Sequence, residues 1–405
     1  MTDFSFKRHE KEIEKLIKRI DSSFYFYDLD KLESHLSYID QHKDKAIKLF
    51  FACKANPLSS ILKLIRNLGI GVDVASLGEL TQVVSSGVKP NDIISTGPSK
   101  SRGYMSSLLR NEINCTVIES LYQLKWLDEV AAKEGVKARA LLRVQLEWDG
   151  NEKSVLGGDE ITAFGLDEKT WKDIDLTQFP NVNILGFHTF QWGNILEVAK
   201  LEKIWDKACM KLKTLAAQMN LNLEIIDLGG GLGIPYQNQT TTLDFKDIND
   251  ALVRLKDKHE LSTIWMELGR YAVGGCGYYL SQVIDRKNVR GRDILVLDGG
   301  INHIARPALT DQGFPCHVFK KENPTKTREF HVHGPLCTAL DKLGVFNLPD
   351  DTDYGDWLVF SQCGAYGFTE AMPFFLCHNL PAEVVSYKGD VMTPRVIKSS
   401  SDWLV

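Results

Sequence analysis

Short apolar, β-branched runs alternate along this chain with longer stretches in which apolar residues return every three or four positions. The runs fall at 47–54, 71–76, 92–96, 115–120, 138–146, 183–190, 223–231 and 263–270, each the length of a strand. Between them, 59–68 sets Ile61, Leu62, Leu64, Ile65 and Leu68 on one helical face, and 196–219 does the same with Val198, Leu201, Ile204, Trp205, Ala208, Leu212 and Leu215. Alternating strand and helix predict parallel strands joined by crossover helices. Eight such units over about 220 residues match a closed (β/α)8 barrel, although an open doubly wound sheet carries the same pattern.

After residue 270 the rhythm changes. Runs at 277–284, 293–297, 330–333, 357–362 and 382–387 are broken by Gly, Asp and Pro, which predicts an antiparallel β domain. An earlier run at 23–29 precedes the barrel pattern and is expected to join that domain. The predicted chain is therefore α/β, with a barrel over 30–265 and a β domain built from 1–29 and 266–405. No internal repeat, low-complexity tract or long linker interrupts it.

Composition narrows the function classes. With 405 residues, 43% hydrophobic and 25% charged, the chain can bury one or two large cores, which excludes intrinsic disorder. Its 48 Lys and Arg against 53 Asp and Glu, a net charge of −5, disfavour nucleic acid or an anionic membrane as the main partner. Residues 1–20 are dense in charge, unlike a signal peptide, and no segment approaches the roughly 18 uncharged apolar residues of a membrane span. A soluble cytoplasmic protein is expected. Cysteines at 53, 115, 209, 276, 316, 337, 363 and 377 form no Cys-x-x-Cys pair, which argues against both a zinc site and a disulfide scaffold.

In such a barrel the reactive groups stand at the carboxyl ends of the strands. There the chain places Lys54, Asp73, Arg143, His188, the run Gly229-Gly230-Gly231, and Glu267 with Arg270. A lysine ending an apolar strand is desolvated and becomes a better nucleophile, as imine chemistry requires, unless it simply snorkels to water. Successive glycines let backbone N–H groups approach a phosphate. A dinucleotide fingerprint fails, because Ile234 or Tyr236 stands where its last glycine should be. Glu267 has an ion pair with Arg270 as its plainer role, and His188 that of a core histidine. Together, an amine, a phosphate cradle, an acid for a pyridine nitrogen and a flat neighbour are what pyridoxal 5'-phosphate needs.

At these residues the chain resembles the barrel-type pyridoxal-phosphate decarboxylases, which act on diaminopimelate, ornithine and arginine and share a fold with alanine racemase. The resemblance runs from about Phe24 to Tyr387. It rests on Phe51-Ala52-Cys53-Lys54-Ala55-Asn56, Val72-Asp73-Val74-Ala75-Ser76-Leu77-Gly78-Glu79, Gly186-Phe187-His188, Gly229-Gly230-Gly231, Glu267-Leu268-Gly269-Arg270, Gly334-Pro335-Leu336-Cys337 and Gly364-Ala365-Tyr366-Gly367. It implies that Lys54 bonds the cofactor's aldehyde, that Glu267 keeps the pyridine nitrogen protonated and that His188 stacks on the ring. Gly230, Gly231, Arg270 and Tyr366 would hold the phosphate. Arg143 would lie near the phenolic oxygen, and Asp73 and Glu79 would support the cofactor. Cys337 would arrive from a partner subunit to protonate the carbanion, which implies a homodimer with shared sites completed by the β domain. Phe190 stands where relatives often have His, Gly193-Asn194 replaces Gly-Ser, and Glu-Leu-Gly-Arg replaces Glu-Pro-Gly-Arg.

The same resemblance bears on substrate. Ornithine-type enzymes place Asp after this cysteine and diaminopimelate enzymes place Glu, whereas here it is Thr338. A distal ammonium would lose a charged hydrogen bond of about 1.5–3 kcal/mol. The stretch from Asp298 to Leu309 resembles the diaminopimelate pattern, so Arg306, with His303, is expected to receive a distal carboxylate unless Arg306 is a structural ion pair. A small-molecule decarboxylase for a citryl-conjugated diamino acid, such as N-citrylornithine in carboxylate siderophore synthesis, is expected. The alternatives are decarboxylation of diaminopimelate or of a carrier-bound aminoacyl group, amino-acid racemisation, or a non-catalytic regulatory role. Retention of Lys54, Glu267 and Cys337 argues against the last.

Overall fold

The computed structural model describes residues 4–148, 158, 160–321, 324–402 and 404, and every barrel run read from the sequence is a strand in it. After β1 (Phe24–Asp28) come β2 (Ile47–Ala52), β3 (Gly71–Val74), β4 (Ile93–Ser95), β5 (Cys115–Ile118), β6 (Ala138–Arg143), β7 (Val182–His188), β8 (Ile225–Asp227) and β9 (Thr263–Leu268). β2 to β9 form a closed parallel barrel. It shuts where β2 meets β9, with Phe50 opposite Glu267. The closed circle rules out the open doubly wound sheet.

Strands covered on both faces read as nearly continuous apolar runs. Phe50, Ile94, Cys115, Val117, Leu141, Leu185, Ile225 and Trp265 form one buried cluster within the barrel. Around it, the helix Ser59–Asn67 buries Ile61, Leu62, Leu64 and Ile65, and the helix Val198–Gln218 buries Leu201, Trp205, Ala208 and Leu212 among others. Serines fix where three of the helices begin. Ser76, Ser101 and Ser120 each accept a hydrogen bond from the backbone N–H three residues on, at Glu79, Tyr104 and Gln123. Each cap satisfies an amide the helix leaves open and so sets the length of the loop after β3, β4 or β5. Those loops carry site residues.

The second sheet contains β10 (Gly277–Val289), β11 (Arg292–Leu297), β12 (Cys316–Val318), β13 (Thr327–His333), β14 (Lys342–Pro349), β15 (Trp357–Phe360), β16 (Ala382–Tyr387) and β17 (Asp390–Arg395). Its order is β14-β13-β11-β10-β1-β16-β17, with β12 and β15 joined off that path. β1 does join it, between β10 and β16. The sheet is mostly antiparallel but mixed, since β1 with β16 and β11 with β13 run parallel. These partners are not hairpin neighbours, so no tight turn imposes an antiparallel pairing. The sequence pattern missed β12, which is three residues long, β14, which Gly344 and Asn347 interrupt, and β17, which is half-exposed and contains Pro394.

The chain divides into a barrel unit, His35–Ile234 with Thr242–Ala272, and a β unit, Met1–Ser34 with Pro235–Thr241 and Val273–Val405. The β unit therefore takes a short excursion, 235–241, that lies inside the stretch read as barrel from sequence. No helix among the described residues is long and apolar enough to cross a membrane. In the β unit, Phe24, Phe26, Tyr278, Leu280, Val359 and Val384 are part of one buried cluster, and the Phe24 ring lies 6.1 Å from that of Trp357. Phe24→Ala removes a fully buried ring from the strand that joins β10 to β16. Denaturant unfolding should show a loss of about 3–5 kcal/mol.

Candidate active site

Lys54 sits in a 3-10 turn, Cys53–Ala55, two residues past the end of β2 rather than in the strand itself. Its side chain is 40% exposed, and its ammonium donates to Asp73 Oδ2 at 3.0 Å. Asp73, on β3, is buried and also accepts from Thr96, the backbone N–H at 3.1 Å and the hydroxyl at 2.9 Å. Burial pushes its carboxyl upward, against the pull of Lys54. Glu79 serves the backbone. Its carboxylate accepts from Ala75 N–H at 2.6 Å, a reach-back that pairs with the Ser76 cap.

Across the barrel mouth, Arg143 closes β6 and donates to Glu119 at 3.1 Å and to the Phe190 carbonyl at 3.4 Å. Its guanidinium lies over the Phe164 ring at 4.3 Å. His188 closes β7, and its Nε2–H donates to Glu267 Oε1 at 3.0 Å. Asp227 closes β8, with Oδ1 accepting from Gly229 N–H at 2.8 Å. The ligating atoms of His188, Asp227 and Glu267 lie within 4.8 Å of one another. Burial and the charge of Glu267 push Asp227 upward. Burial would raise Glu267 too, but the His188 hydrogen bond and the charges of His188, Lys54 and Arg143 outweigh it and hold the carboxyl low. Glu267 is therefore held as a carboxylate, while Asp227 beside it is pushed the other way.

The glycine run follows β8. Gly229 has φ +62°, and a Cβ there would meet the Phe190 side chain at 2.5 Å; one on Gly230 would meet the Glu267 carbonyl at 2.6 Å. No other residue fits either place without displacing Phe190 or the end of β9, so only glycine lets the run pack this closely. Arg270 begins the short helix Arg270–Val273 just past β9. Among the described residues, buried His188 Nδ1 and Asp227 Oδ2 have no hydrogen-bond partner, although buried polar atoms are nearly always satisfied. An anionic Glu267, an imidazole, a glycine cradle and a lysine on one barrel rim fit the pyridine, phosphate and aldehyde of pyridoxal phosphate.

The barrel unit thus brings together Lys54, Asp73, Arg143, His188, Gly230, Gly231, Glu267 and Arg270. Cys337, Thr338, Arg306, His303 and Tyr366 belong to the β unit. Cys337 is an exposed free thiol. Thr338 Oγ1 accepts from Leu340 N–H at 3.2 Å. Tyr366 is half-buried with φ +56°. His303 departs from its expected role. Its Nε2–H donates to the Asn379 carbonyl at 2.8 Å and its Nδ1 accepts from the Tyr279 hydroxyl at 2.9 Å, so both ring nitrogens serve the fold rather than an incoming anion.

Sequence reasoning overlooked Asp341. Its Oδ1 accepts from Ile301 N–H and its Oδ2 from Leu336 N–H, each at 2.8 Å. One buried carboxylate thus ties the turn leading to Arg306 to the turn bearing Cys337 and Thr338. A Cβ on Gly300 or Gly334 would run into it. Lys100 and Glu119, both buried in the barrel unit, were also missed.

Burial lowers the His303 imidazole from 6.5 to about 4. Its neutral form is the folded form, so its contribution to stability is complete above pH 6.5 and is lost as pH falls toward 4. Denaturant unfolding should weaken over that window by about 3 kcal/mol, and His303→Gln should flatten the dependence.

Known proteins resemble this chain over most of its length. The L-glutamyl-[BtrI acyl-carrier protein] decarboxylase of Niallia circulans is 28% identical over 397 residues, covering 93% of this chain and 92% of its own. The 2-[(L-alanin-3-ylcarbamoyl)methyl]-2-hydroxybutanedioate decarboxylase of Staphylococcus aureus is 28% identical over 370 residues, covering 88% and 92%. The crystal structure of diaminopimelate decarboxylase from Helicobacter pylori complexed with L-lysine superposes with a TM-score of 0.87 at 25% identity, covering 96% of this chain and 98% of that one. Residues 29–274 match the family described as pyridoxal-dependent decarboxylase, pyridoxal binding domain. With that match over more than half its length, on a barrel whose rim suits the cofactor, this chain belongs to the pyridoxal-dependent decarboxylases of the diaminopimelate and ornithine type.

Proposed function

We propose that this enzyme removes the α-carboxylate of an amino acid whose far end is anionic, with an N-citrylornithine-type conjugate of carboxylate siderophore synthesis as the best candidate. The observation that carries this reading is Arg306. It is buried, its guanidinium lies 4.9 Å from the centre of the Tyr236 ring, and Glu370 reaches it only at 3.5 Å. Its Nε has no hydrogen-bond partner among the described residues. A buried, under-used guanidinium fork suits a carboxylate. Thr338 supplies no negative charge for a distal ammonium, and the Staphylococcus aureus relative acts on a hydroxydicarboxylate conjugate by its name.

Bound pyridoxal phosphate supplies the electron sink that lets an α-carboxylate depart as carbon dioxide. The protein does the rest. Lys54 offers the amine to the cofactor's aldehyde, with Asp73 as its resting partner. Glu267 holds a negative charge for the ring nitrogen, and His188, fixed by Glu267, offers a flat face to the ring. Gly230, Gly231 and Arg270 would hold the phosphate, with Tyr366 assigned to the same task by the family resemblance, and Arg143 would serve the phenolic oxygen. Cys337 from a second copy returns a proton to the α-carbon. Exposed Leu340, Phe374, Phe375 and Leu376 in the β unit are apolar surface that a homodimer would cover. The reading is of a cytoplasmic enzyme with a small-molecule substrate.

Carbon dioxide release from N-citrylornithine, ornithine, diaminopimelate and a carrier-bound glutamyl group, compared side by side, tests the reading. The citryl conjugate should lead by about tenfold or more in kcat/KM, and Arg306→Ala should erase that lead chiefly through KM. Preference for the carrier-bound group, as the name of the Niallia circulans relative describes, would replace the citryl reading. Equal losses by Arg306→Ala on free ornithine and the conjugate would remove Arg306 from substrate recognition.

A further inference from the structure

Among the described residues, Lys100 is the one strongly buried lysine, at 2% exposure. A lysine is seldom buried unless something nearby needs its charge. Its ammonium donates to the Gly97 carbonyl at 2.5 Å, a neutral acceptor. Its position is otherwise unfavourable. It directly precedes Ser101, the cap of the helix Arg102–Arg110, where the helix dipole repels a cation. Local stability therefore does not explain it.

The turn that holds Lys100 is tied to two acids. β4 lies between β3 and β5 in the barrel, and the turn 96–100 follows β4. On one side Thr96 donates twice to Asp73. On the other, the Pro98 carbonyl accepts from Gln123 Nε2 at 2.7 Å, while Gln123 Oε1 accepts from Glu119 N–H at 3.0 Å. The turn is thus pinned between the strand end that bears Asp73 and the one that bears Glu119. Both acids have a bonded cation: Lys54 for Asp73 and Arg143 for Glu119. Arg143 is buried and fixed, but Lys54 is half-exposed and must leave Asp73 to serve an aldehyde.

We propose that Lys100 is a positioning residue of the active site, a fixed buried ammonium that balances Asp73 and Glu119 when Lys54 is engaged elsewhere, and so keeps the barrel mouth able to hold an anionic cofactor. The charges that act on it are those of Glu119, Asp73 and Glu267, which favour its protonated form, and of Arg143, which opposes it. Burial outweighs the acids and brings Lys100 down to about 8. Its charge is present below that pH and is lost as pH rises through it. The inference rests on the cofactor site and not on the choice of substrate, so it stands or falls separately from the citryl reading.

The test uses full-length protein, freed of cofactor, titrated with pyridoxal phosphate and followed by absorbance across about pH 6.5 to 9.5, a window that brackets the Lys100 transition. Lys100→Met should weaken binding by about tenfold or more, the scale of one charged hydrogen bond, while Lys100→Arg should stay within about threefold of the parent. Parental affinity should fall as pH rises through about 8, and Lys100→Arg, whose charge persists, should not show that fall. Lys100→Met combined with Glu119→Gln should recover affinity, because one charge of each sign has been removed. Lys100→Met binding like the parent with an unchanged pH dependence, or a double variant no better than the single one, would overturn the proposal. Where Lys100→Met fails to fold, the arginine variant decides: the same fall near pH 8 in Lys100→Arg also overturns it.

Discussion

The structure depends on balanced charge in a place that excludes water. At the carboxyl rim of the barrel, Asp73, Glu119, Asp227 and Glu267 are all buried beside Arg143, His188 and Lys100, with Lys54 at the edge. An isolated buried charge is costly, and one whose partner has been removed is costlier still. The groups persist because each is met by another of opposite sign or by backbone N–H. Charge pattern also separates roles among similar acids. Glu267 is held ionised by His188, while Asp227, one strand away, is pushed toward its protonated form.

That balance is delivered by the scaffold. Parallel strands place residues from distant parts of the sequence side by side, as in the register of β7 and β8 that sets His188 opposite Asp227. Serine caps then fix the loops after β3, β4 and β5, so Thr96 meets Asp73 and Gln123 meets Pro98 without slack. In the β unit a single carboxylate, Asp341, plays the comparable part for the turns of Arg306 and Cys337. A site is only as well defined as the groups that hold its residues.

Much of this was legible in the sequence. The eight barrel strands showed because buried parallel strands are uniformly apolar, and that pattern led to His188 and Glu267 at strand ends and to Lys54 in the turn just past one. The β domain read less well. β14 and β17 are half-exposed and interrupted, so their pattern is weak, and the parallel pairing of β1 with β16 depends on contacts across nearly the whole chain. His303 looked like a ligand for an anion because sequence cannot show that Tyr279 and Asn379 already occupy its ring. Lys100, Glu119 and Asp341 carried no signal as isolated letters. Their meaning lies in what surrounds them, and only the folded chain supplies that.

The account turns on Lys54 as the lysine that meets the cofactor at this rim. Borohydride reduction of the protein loaded with pyridoxal phosphate, followed by proteolysis and mass spectrometry, locates the attachment directly. Pyridoxyl on Lys54 alone, lost in Lys54→Ala, is the predicted result. Pyridoxyl on Lys100 or on any lysine outside the barrel mouth would contradict the account, because Lys100 would then be the reacting amine rather than the fixed charge beside it.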